Sequence, residues 1–62
     1  RMITGLEILQ NELVELIENR KDALAYGHAA DYAEYRHLAG VITGLTSALE
    51  RVKDLRKYEE EI

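Results

Sequence analysis

Glu34 and His37 stand three residues apart, the spacing that sets a carboxylate and an imidazole on one face of a helix, as ferritin-like di-metal bundles require. In an antiparallel hairpin Glu18 and Asp22 would lie at about the same level on the preceding helix. This is the one metal-like constellation in the chain, and it competes with a plainer expectation: Asp31 and Glu34 repeat the spacing of a helix capping box. The plainer expectation is adopted, so no metal or other cofactor is expected. His28 falls in a loop and is expected to be a bystander.

Other chemistry finds less material. Ser47 and three threonines are the hydroxyl nucleophiles besides tyrosine, and no glycine-rich turn follows a strand to build an oxyanion hole. The four glycines are scattered and match no phosphate-cradling loop. No catalytic residue is therefore expected, and the chain is read as a non-enzyme. Arg51, Lys53, Arg56 and Lys57 make a short basic stretch, but Glu50, Asp54 and Glu59-Glu60-Glu61 interrupt it. Alternating signs describe a solvated helix laced with ion pairs better than a phosphate-tracking patch, and the net charge of −4 also argues against nucleic acid.

Two features point toward protein partners. Gly40 and Gly44 interrupt a strongly helical segment, where each costs about 0.8–1.0 kcal/mol relative to alanine. With Ala48 they make a strip without side-chain bulk, expected either to pack closely inside a hairpin or bundle, or to receive a partner helix. Tyr26, Tyr32, Tyr35 and Tyr58 are the only aromatics. Tyr35 is expected in the core, while Tyr32 and Tyr58 join Gly40 and Gly44 as partner-contact candidates.

The elements that must position these residues are helices. In the first half Leu6, Leu9, Leu13, Leu16, Arg20 and Ala23 follow alternating steps of three and four, with Ile17 and Leu24 widening the stripe. Thr4 and Glu7 have capping-box spacing, Ile3 and Ile8 fit a hydrophobic staple, and Gly27 stands where a helix end needs positive φ, with Lys21 near the end that favours cations. The first helix is predicted over about 5–26. After a short connection the second begins near Asp31 and runs over about 32–60. Its stripe is Tyr35, Leu38, Ile42, Leu45, Leu49 and Val52, and Val41, Ala48, Leu55 and Ile62 form a second row at seven-residue steps.

The fold class is thus all-α, an antiparallel two-helix hairpin forming one domain over 1–62. Arg1 precedes Met2, the expected natural start, and is left out of the fold. At 1.5 Å per residue the helices measure about 33 and 45 Å, so roughly eight residues of the second should overhang, leaving Leu55, Tyr58 and Ile62 without a partner in the chain. A single seam cannot cover so wide a stripe. Sixty-two residues without cysteine also lack the disulfide or zinc site that usually supplements so small a core. Oligomerisation into a helical bundle, as a dimer or higher, is expected, through Leu6, Leu9, Leu13, Leu16, Ile17, Tyr35, Leu38, Ile42, Leu45, Leu49, Val52 and Leu55. No apolar run is long enough for a transmembrane helix or a signal-peptide core, so neither membrane insertion nor secretion is expected.

The stretch Asp31-Tyr32-Ala33-Glu34-Tyr35-Arg36-His37-Leu38-Ala39-Gly40-Val41-Ile42-Thr43-Gly44-Leu45 resembles a group of small helical proteins of tailed bacteriophages. The shared pattern is Asp-Tyr-x-x-Tyr-Arg-x-Leu-x-Gly-x-Ile-x-Gly-Leu, followed by a charged helix ending in acids, and it covers about half of the chain. The resemblance implies an accessory or minor virion or assembly protein, found in the host cytoplasm or the virion, with itself and a phage structural or host protein as partners. A modulator that captures a host protein and a metal-binding ferritin-like assembly are the alternatives.

Overall fold

A computed structural model describes residues 3–27 and 29–61. The expectations for Arg1, Met2, His28 and Ile62 lie outside the described residues. Two helices pack against each other, α1 over Gly5–Ala25 and α2 over Tyr32–Glu61. Their antiparallel course is fixed by Arg56, near the end of α2, which bonds to Glu7 and Gln10 at the start of α1.

Local chemistry explains both ends of α1. Thr4 is extended, and its hydroxyl oxygen accepts from the Glu7 N–H at 3.1 Å, satisfying one of the first-turn donors that a helix leaves unpaired. At the other end Tyr26 donates its N–H to the Asp22 carbonyl at 2.9 Å, and Gly27 donates to the Leu24 carbonyl at 3.2 Å. Gly27 does this with φ +71°, a conformation in which a Cβ would crowd the backbone. Lys21 proves to lie outside the last turn of α1, which contains no basic residue, and pairs instead with Glu18 at 3.9 Å. Glu18 lies three residues before Lys21, on the same face of the helix.

The start of α2 is a capping box displaced by one residue. Asp31 Oδ1 accepts from the Glu34 N–H at 2.8 Å, while Glu34 Oε2 accepts from Ala30 rather than from Asp31, at 2.6 Å. Farther along, the Thr43 hydroxyl donates to the Ala39 carbonyl at 3.0 Å, which keeps a β-branched polar residue satisfied inside a helix.

Packing is shallow. Among the described residues only Ile17, Leu49 and Val52 are buried, while Leu6, Leu13, Leu24, Leu38, Val41, Ile42 and Leu45 are half-buried. The molecule measures 47 × 19 × 13 Å with a radius of gyration of 14.5 Å, against about 11 Å for a compact domain of this length. Its thinnest dimension accommodates one layer of helices, where stable domains stack two.

Candidate association surface

The inward face of α1 runs through Leu6, Gln10, Leu13, Ile17 and Leu24. This differs from the expected stripe by one position at alternate turns. Leu9 and Leu16, expected in the oligomer interface or core, are 41% and 40% exposed in the hairpin, and Arg20 is exposed as well. The cause is the breadth of the apolar arc: rows containing 6 and 13, 10 and 17, and 9 and 16 adjoin one another, and only one pair of rows can face a single partner helix. Gln10 joins the inner pair because its amide oxygen accepts from Arg56 Nη1 at 2.8 Å.

On α2 the inward residues are Leu38, Ile42, Leu45, Leu49 and Val52. Tyr35, expected in the core, is 51% exposed in the hairpin, whereas Leu55, expected to lack a partner within the chain, is 52% exposed. Tyr35 stands near the turn, where its ring stacks on Tyr32 at a centroid distance of 6.3 Å and an interplanar angle of 17°. Leu55 points to the side of Arg56, which takes the inward position instead. The expected overhang is correspondingly tied down at Arg56, whose Nη2 lies 3.1 Å from Glu7 Oε1. Tyr58, two residues farther, is exposed.

Gly40 and Gly44 are exposed, and a Cβ added at either would meet nothing within 4 Å. Close packing inside the hairpin therefore does not account for them. Gly44 and Ala48 leave a low, open stretch of α2 surface.

The polar candidates resolve into structural roles. Glu34 caps α2 through Ala30, and His37 is exposed beside it. Among the described residues no group of three or more His, Asp or Glu side chains is arranged to hold a metal ion. Glu18 is engaged with Lys21. In the basic stretch Lys53 pairs with Glu50 at 3.8 Å and Arg56 with Glu7. Arg51 and Lys57 point in widely different directions at 100° per residue, so the four cations do not converge. A shallow hollow on α1, lined by Glu12, Glu15, Leu16 and Asn19, is open to solvent. No helix among the described residues is long and apolar enough to cross a membrane.

What the arrangement offers chemically is apolar surface left uncovered by a one-layer fold. Leucines at 9, 16 and 55, with Val14 and Ile8, are exposed side chains of a size usually kept from water. Sequence reasoning assigned Leu9, Leu16 and Leu55 to an oligomer interface or core and expected Leu55 to lack a partner within the chain. It missed the Arg56–Glu7–Gln10 cluster. The available signal was polar Gln10 and Glu7 within the same arc as Leu6 and Leu13. The chain matches no protein-family model, no curated protein and no solved structure.

Proposed function

We propose that the chain is a non-enzymatic protein–protein association module that completes its core by self-association into a helical bundle. One observation carries this reading: the hairpin buries only Ile17, Leu49 and Val52 among its described residues while exposing Leu9, Leu16 and Leu55. Stacking a second layer of helices is the ordinary way for such a layer to gain a core. The resemblance of residues 31–45 to small phage proteins supports a role as a tailed-phage accessory or minor virion or assembly protein, acting in the host cytoplasm or the particle.

A second reading, a modulator that binds a host or phage protein, is favoured by the stacked and exposed pair Tyr32 and Tyr35. Tyrosine offers a large contact area at small entropic cost. Light scattering over a hundredfold dilution, with helicity recorded on the same samples, separates the two. A defined multimer that dissociates on dilution supports self-association. A helical monomer at every concentration refutes it and leaves the second reading.

A further inference from the structure

Helical geometry decides on which side of the hairpin each exposed side chain lies. Each residue turns 100° about its axis, clockwise when viewed along the chain direction, and the buried residues mark the inward directions. On α1, Leu9 and Leu16 precede the inward direction set by Ile17 and its neighbours by roughly 70–90°. On α2, Val41, Gly44, Ala48 and Leu55 precede theirs by roughly 50–110°. Because the helices are antiparallel, the two offsets fall on the same broad side of the hairpin.

The opposite side has a different character. Val14, Glu18 and Lys21 of α1 lie there with Tyr35, Thr46, Glu50 and Lys53 of α2. The ion pairs Lys21–Glu18 and Lys53–Glu50 belong to that side. On the apolar side charge lies at the outer edge, with Glu12 and Arg51, and toward the ends, with Arg20, Glu34 and His37 near the turn and Glu59 near the tail. An apolar centre with a polar rim is the anatomy of a protein interface.

We propose that this side is the docking face and that its occupant is a second copy of the chain, related by a two-fold axis between the hairpins. The proposal rests on the self-association reading and names its surface. The surface available is of the size that a dimer needs. A folded monomer of 7.1 kDa should expose about 4,100 Å², and this one exposes 4960 Å². The excess, roughly 900 Å², is close to the ~800 Å² that each partner buries in a standard interface. A two-fold consumes the same face on both copies and leaves none for further growth, so assembly stops at the dimer. Gly44 and Ala48 fit such a face, because their lack of bulk lets a leucine of the partner approach the α2 backbone.

The test is sedimentation equilibrium on the full chain, wild type and two variants, with helicity measured in parallel. Ala48→Glu places a charge on the proposed face at an exposed position. Thr46→Glu places the same charge on the opposite side. The expected result is a wild-type dimer, an unchanged dimer for Thr46→Glu, and for Ala48→Glu a dissociation constant raised at least roughly a hundredfold. At dilutions where wild type is itself monomeric, Ala48→Glu should match its helicity, which separates lost docking from lost folding. A wild-type chain that stays monomeric overturns the self-association reading and this proposal with it. A wild-type dimer that Ala48→Glu leaves intact overturns the face alone, as does a loss of helicity in the monomeric variant. A mass above the dimer overturns the two-fold closure.

Discussion

Arg56 joins the two ends of the hairpin, and its contribution is open to direct measurement. Its guanidinium forks between Gln10 Oε1 at 2.8 Å and Glu7 Oε1 at 3.1 Å, with the Arg56 and Glu7 side chains 26% and 15% exposed. Fully exposed ion pairs couple by about 0.2–1 kcal/mol, and hydrogen bonds to charged groups contribute about 1.5–3 kcal/mol. Partial burial places this pair at the upper end of the first range, at about 1 kcal/mol. The unfolding entropy of a chain of this length, about 130 cal/mol/K, converts that to roughly 8 °C in Tm. The assay is a double-mutant cycle of Arg56→Met and Glu7→Gln, followed by urea denaturation with circular dichroism. Methionine retains the aliphatic stem, so the cycle isolates charge from packing. All four proteins must be compared at one concentration, because self-association shifts apparent stability by mass action. A coupling below about 0.3 kcal/mol, the ordinary scatter of independent sites, would refute the assignment of Arg56 as the clamp of the open end.

Gly27→Ala should cost about 1 kcal/mol, because alanine would have to adopt φ +71° at the end of α1; thermal melts of variant and wild type check this. Asp31→Ala removes the acceptor of the Glu34 N–H and should cost about 1 kcal/mol, read in the same melts, with fraying of the first turn of α2 visible in amide exchange. Glu60→Lys should stabilise the chain by about 0.3–1 kcal/mol, since α2 has no basic residue in its last turn and acids there oppose the helix dipole. That gain should shrink with added salt.

The helices and their ends were legible because the signals are local. Thr4 with Glu7, Gly27 after Tyr26, and Asp31 with Glu34 each act within a single turn, and α1 and α2 end within one residue of expectation at Ala25 and Glu61. The seam was harder to read. Leu9 and Leu16 have the same composition and periodicity as Leu6 and Leu13, and nothing within one helix says which adjoining row meets the other helix. That choice is made across the hairpin, where Arg56 draws Glu7 and Gln10 inward and turns the leucine row aside. The glycines show the same limit. Their spacing marks absent bulk, while the structure shows that the space beside them is open rather than filled by α1.

The order in which contacts close follows from the same difference in range. Caps at Thr4, Tyr26 and Asp31 join residues no more than four apart, so each helix end can form before the chain has folded back on itself. The Arg56 bonds to Gln10 and Glu7 bridge sequence separations of 46 and 49 residues and bear the largest loop-closure cost of the bonds described. Loop closure alone thus favours pairing that begins beside the turn, while burial is greatest away from it, at Ile17, Leu49 and Val52. The two ends of the hairpin are held by different means, the turn by short-range caps and the open end by apolar burial and the Arg56 clamp.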